Sequence, residues 1–123
     1  MWFGNNGIIN KAFASKETFS IASAKAEISL AWASCEIDYN LGKAGDYTVT
    51  REDYYTLERL NNYLKGKGTV NSINFKSNGA SRIEYSSDND KNIKNKIFKI
   101  NENGIIELSY NSSNKPETSK LII

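Results

Sequence analysis

Residues 7–39 read GIINKAFASKETFSIASAKAEISLAWASCEIDY, a run with no proline and no internal glycine. Its wealth of Ala, Ile, Lys, Glu and Ser predicts one long helix, because these residues lose little on entering a helix and nothing in the run breaks it. About 32 helical residues span roughly 48 Å at 1.5 Å each. A compact domain of this chain's length is only about 35 Å across. The helix is therefore expected to project beyond its own domain. On a wheel at about 100° per residue, Ile8, Ala12, Phe19, Ala26, Leu30, Ala33 and Ile37 fall on one face. Phe13, Ile21, Ala24, Ile28, Ala31, Trp32 and Cys35 fall on a roughly opposite face. Lys16, Glu27 and Asp38 lie in one seam, and Lys11, Lys25 and Glu36 in the other. Two apolar faces call for two coverings. The plainer arrangement puts a sheet on one face and a second helix on the other. The sharper one has the N-terminal part meet neighbouring subunits, through an assembly face of Ile8, Phe13 and Phe19 near the projecting end.

Beyond the long helix, Asn40-Leu41-Gly42 reads as its end, and Gly42 and Gly45 as a loop. A second helix is expected over 50–65, with Thr50 as N-cap, acidic residues in its first turn, and Tyr54, Leu57, Leu60 and Leu64 at helical spacing. Lys65 and Gly66 close it. From residue 69 to 110 the pattern changes to period two. Val70, Ile73 and Phe75 mark a first strand, Ile83 and Tyr85 a second, 97–100 a third and 105–110 a fourth. Ser77-Asn78-Gly79 reads as a turn, 86–92 as a polar loop, and Asn103-Gly104 as a hairpin in which both residues tolerate positive φ. Residues 111–123 read as a polar tail that ends in Leu121-Ile122-Ile123. Helices followed by a meander of about four strands make a single α+β domain, with the long helix packed on the sheet.

Composition narrows the function. The chain of 123 residues has no histidine, a net charge of +2 with both signs interspersed, and one cysteine. No electrostatic footprint for nucleic acid is present, and an intrachain disulfide is ruled out. Cys35 is expected to act as a buried small hydrophobe. Without histidine the commonest general base and metal ligand is missing, and no phosphate loop or nucleophile elbow occurs. The chain reads as a non-enzyme without cofactor. Two clusters remain as candidates. Asp88, Asp90 and Asn92 offer alternating oxygens that suit calcium, although Lys91 stands among them and the glycine and distal glutamate of an EF-hand are absent. Tyr47, Tyr54 and Tyr55 could form a patch that recognises a glycan or a protein.

The residues Asn6-Gly7-Ile8-Ile9-Asn10-Lys11-Ala12, Ser15-Lys16-Glu17-Thr18, Ile21-Ala22-Ser23-Ala24-Lys25 and Leu30-Ala31-Trp32 resemble the type IV pilin-like proteins of Gram-positive bacteria. The likeness covers residues 4–39 and matches the stretch just after that family's hydrophobic N-terminal segment. It implies a pilin-like fold, in which one long helix packs on an antiparallel sheet of about four strands. It also implies a structural subunit of an extracellular filament or secretion pseudopilus: a type IV pilin, minor pilin or pseudopilin. Such a subunit is exported to the cell surface, held in the membrane before assembly by an N-terminal segment missing here, and joined to other pilin subunits through its N-terminal helix. Trp2-Phe3 would mark the cut, and the chain as given is expected to be monomeric. The family's processing glycine and following glutamate are not in this sequence, so no functional residue carries over. Pseudopilins that bind calcium in a sheet loop lend the 88–92 cluster some weight. The alternative is a surface-anchored binding module that uses the tyrosine-rich patch.

Overall fold

The computed structural model describes residues 5–76, 80–110, 113 and 116, with side chains from Phe19 onward. Among them the order is a long helix α1 (Asn5–Gly45), a 3-10 turn (Arg51–Asp53), a short helix α2 (Leu57–Leu64), and strands β1 (Gly68–Asn74), β2 (Ser81–Ser87), β3 (Lys96–Ile100) and β4 (Ile106–Leu108). The strands form one antiparallel sheet in sequence order, β1-β2-β3-β4. This is the α+β architecture that the residue pattern predicts.

The long helix runs past its expected end. Asn40-Leu41-Gly42 stay helical, and α1 reaches 41 residues, about 62 Å. Gly42 is there for space, not for a turn: a Cβ would overlap the ring and hydroxyl of Tyr54. The backbone continues through Asp46 N–H, which donates to Gly42 O at 2.9 Å. The chain turns only where the Asp46 carboxylate accepts from both the Thr48 N–H (3.0 Å) and its hydroxyl (2.6 Å), an Asx turn that competes with the helix.

The second helix is shorter than 50–65. Asp53 accepts from the Thr50 N–H and hydroxyl, but this start yields only the 3-10 turn. A second N-cap follows, where Thr56 Oγ1 accepts from Arg59 N–H at 3.2 Å, and the α-helix begins there. The break lets Tyr54 and Tyr55 diverge. Tyr54 packs edge-on to Tyr39, whereas Tyr55 is buried against Trp32. Lys65 in the left-handed region (φ 52°) and Gly66 (φ 80°) then close α2.

The α2 helix lies beside the sheet. Asn61 offers its amide to the backbone of Val70 on β1: Val70 N–H donates to Oδ1 at 2.7 Å and Nδ2 donates to Val70 O at 3.0 Å. One side chain thus does the work of a neighbouring strand and blunts the sheet edge. Leu60 and Leu64 point into the core. The expectation of one covering on each apolar face of α1 is therefore corrected. Both α2 and the sheet pack on the face made by Ala24, Ile28, Ala31, Trp32 and Cys35, all buried in one cluster with Val70, Ile83, Tyr85, Phe98 and Leu108. An eight-residue helix fastened to β1 extends the sheet layer and cannot also form a third layer.

Two polar contacts lock this packing. Tyr85, fully buried on β2, donates its hydroxyl to Glu27 of α1 at 2.6 Å. Burial first, and then this bond to a carboxylate, pushes the Tyr85 phenol well above its ordinary value, so it stays a donor. At the β3–β4 hairpin, Gly104 alone takes positive φ (83°). Asn103 does not, and the link is five residues long because Asn101 organises it. Its Oδ1 accepts from Asn103 N–H (2.8 Å) and Ile105 N–H (3.0 Å). The turn expected at 77–79 and the final Leu121-Ile122-Ile123 lie outside the described residues.

Candidate functional site

The outward side of α1 is the feature that most needs an explanation. Phe19, Leu30, Ile37 and Leu41 are 71%, 67%, 59% and 69% exposed, with Ala26 and Ala33 exposed between them. At about 100° per residue they fall within about 40° of one line. The stripe carries no charge from Phe19 to Leu41; Lys25, Glu27, Glu36 and Asp38 stand to its sides. Scattered exposed apolar residues are ordinary, whereas an apolar line of this length makes the helix face a candidate binding surface. Of the assembly residues expected from sequence, Phe19 lies on this stripe; the side chains of Ile8 and Phe13 lie outside the description. Leu30, Ile37 and Leu41 lie on the same stripe but were not among the residues expected there for assembly. Leu30 and Ile37 stood on an apolar face expected to be covered, and Leu41 stood in the supposed helix end.

The tyrosines do not gather into one patch. Tyr47 is 85% exposed on the loop after α1. Tyr54 lies over Gly42 with the Arg59 guanidinium 4.9 Å from its ring centre. Tyr55 is buried and donates to Glu36. Tyr55 and Tyr63 each join one of two clasps that hold the chain after α1 against its seams. In the first, Arg51 makes a forked contact with Glu36 (3.1 and 2.8 Å), which Tyr55 shares. In the second, Arg59 reaches Asp38 at 3.1 Å and Tyr63 donates to the same carboxylate. Arg51 chiefly, with Tyr55 adding to it against the opposing effect of burial, holds the Glu36 carboxyl below the ordinary value of 4.5.

That shift has a pH consequence. A carboxylate lowered in the folded chain contributes its stability in full above its ordinary pKa and loses it as pH falls through the lowered value. Glu36 and Arg51 are both partly exposed, so screening keeps the contribution within about 1 kcal/mol. In Glu36→Gln the loss of stability on going from about pH 5 to about pH 3 should be shallower than in the wild type, as read by urea unfolding across that range. Identical acid limbs would show that the clasp carries no pH-dependent stability.

The 86–92 loop is built from its own oxygens. Asp90 Oδ1 accepts from Asn92 N–H at 2.9 Å and Ser87 Oγ from Asn89 N–H at 3.2 Å, while Asp88 N–H is tied to Lys67 O at 2.9 Å. These bonds hold Ile93 as a buried plug at the end of the sheet. Among the described residues no three His, Cys, Asp or Glu side chains come together as a metal would need. Cys35 is fully buried, and that burial pushes its thiol up to about 12, so it remains a protonated, unreactive core residue. No helix among the described residues is long and apolar enough to cross a membrane. No family model matches the chain, and neither a curated protein nor a solved structure matches it.

Proposed function

We propose that this chain is a non-enzymatic structural subunit of an extracellular filament or secretion pseudopilus, a type IV pilin, minor pilin or pseudopilin. It would assemble through α1, at the cell surface, after being held in the membrane by a segment N-terminal to this domain. The single observation that carries the reading is the uncovered apolar stripe on a helix about 62 Å long. One face of α1 belongs to its own core, and among the described residues the large side chains of the opposite face are exposed. A second helix laid along the stripe would bury four large apolar side chains, each worth about 1.5–3 kcal/mol when fully covered. The alanines at 26 and 33 let another helix approach closely between the larger residues. Copies joined by two different patches, rather than by one patch meeting itself, grow into an open filament. The resemblance of residues 4–39 to pilin-like proteins supports the same reading.

The test uses the full-length gene product in its own bacterium. Shearing the cell surface and probing with antibody to this domain should find it in released filaments. The pair Leu30→Glu/Ile37→Glu should remove it from that fraction while leaving the purified domain's unfolding free energy within about 0.5 kcal/mol of wild type. Filaments formed as well by the pair as by the wild type would refute assembly through the stripe.

A further inference from the structure

A cleft of about 790 Å³ opens between α1, the 3-10 turn and the β3–β4 hairpin. That is the size of a small-molecule site. Its floor is aromatic. Phe75 stacks on Tyr55 (centroids 5.2 Å apart, planes 17° apart), and Tyr55 leans on Trp32 at 4.5 Å. Phe75 is the outermost ring, half-buried where Trp32 and Tyr55 are buried. The ring stack is held in place from below, since the Tyr55 hydroxyl is fixed on Glu36. A rigid ring at the mouth of a cleft costs little ordering when a ligand lies upon it.

The walls carry both signs in equal number: Glu36 and Glu102 against Arg51 and Lys76. Arg51 gives two of its N–H donors to Glu36, so its positive charge is balanced within the cleft wall and offers no net attraction to an anionic ligand. The hairpin wall adds two amides. Asn101 uses its oxygen in the turn and keeps its NH₂ group, and among the described residues no bond engages the Asn103 side chain. Planar amides donate and accept side by side, and the carboxylate accepts. A charge-balanced cleft with an aromatic floor and such a rim suits a ligand that is neutral, apolar on its flat faces and lined with hydroxyls at its edge.

We propose that this cleft binds a neutral oligosaccharide, with Phe75 as the stacking platform and Asn101, Glu102 and Asn103 as hydrogen-bonding groups. The site is distinct from the dispersed tyrosines at 47 and 54, and it does not depend on filament assembly. Ala33 and Ile37 of its helix wall also belong to the exposed stripe, so a bound sugar would lie at the margin of any helix–helix contact.

The experiment titrates the purified chain with maltotriose, lactose and N,N′-diacetylchitobiose, with sialyllactose as the anionic control. Trp2→Phe leaves Trp32 as the only tryptophan, and its fluorescence reports on the cleft floor. The expected result is a saturable change with at least one neutral sugar. It should weaken about tenfold, equivalent to about 1.4 kcal/mol, in Phe75→Ala and also in Asn103→Ala. The second variant guards against a folding defect, because the turn uses the Asn103 backbone and not its side chain. Leu30→Glu should bind as the wild type does, even if it abolishes filaments. No response to any neutral sugar, a response to sialyllactose alone, or a response that both variants leave undiminished would overturn the proposal.

Discussion

Phe98→Ala is expected to remove about 3–5 kcal/mol of stability, the cost of emptying a large aromatic site in a packed core. Phe98 is fully buried on the central strand β3. It pairs with Ile83 on one side and Leu108 on the other and meets Tyr85 edge-on at 6.2 Å. No neighbour can collapse into the gap without abandoning its strand register. A domain of this size is stable by only about 5–15 kcal/mol, so the variant should lie close to the folding threshold. Urea unfolding followed by circular dichroism reads the loss directly. Phe98→Leu should recover more than half of it, since it refills most of the volume. A loss below about 1 kcal/mol for Phe98→Ala would mean that the sheet does not pack on α1 as described.

The second large effect is expected at Gly68, the first residue of β1. Its φ is ordinary, so the reason for glycine is space alone. A Cβ here would overlap the ring and hydroxyl of Tyr85. That ring cannot retreat, because it is fully buried and its hydroxyl is held by Glu27 at 2.6 Å. Gly68→Ala should therefore cost about 1–3 kcal/mol by overpacking, where alanine in a strand would otherwise be neutral or better. The mechanism is checked by a double-mutant cycle. In a Tyr85→Leu background the same change should cost much less, giving a coupling of about 1 kcal/mol or more. Equal costs in both backgrounds would place the penalty elsewhere. Gly45, at the end of α1 with nothing near the place of a Cβ, is the control. Alanine there should be neutral or stabilising by up to about 1 kcal/mol.

Gly42, just beyond the expected first helix, shows where reading by residue type failed. Gly42 reads as a stop signal because glycine is the usual residue just past a helix end. The side chain that explains it, Tyr54, is 12 positions further on and packs over it. Thr50 likewise looks like the start of a helix that runs to residue 65. Thr56 and Tyr55 divide that segment, and Tyr55 turns toward Trp32 and Glu36 because partners far away in the chain are there to receive it. Asn101 and Asn61 gave no periodic signal at all. Their work is to bond backbone atoms, and the helical and strand patterns of apolar residues do not record such bonds.

The functional surfaces divide in the same way. Both apolar faces of α1 were visible from residue spacing, but the face left bare was not. A wheel records which residues share a side, and burial depends on what else the chain brings there. Of the candidate patch of Tyr47, Tyr54 and Tyr55, Tyr55 is buried and Tyr47 exposed, and the cleft floored by Trp32, Tyr55 and Phe75 joins four separate segments.

Local sequence by itself determined the long helix and the four antiparallel strands, because period, propensity and turn residues act over a few neighbours and need no distant partner, whereas the order of the strands in the sheet came from their tertiary pairing. Tertiary packing alone decided that α2 would join the sheet layer, that Gly42 would stay helical, and that the line from Phe19 to Leu41 would face outward. Each of these outcomes rests on contacts between residues far apart in the chain, and a short helix fastened to a strand edge can cover only one side of its neighbour.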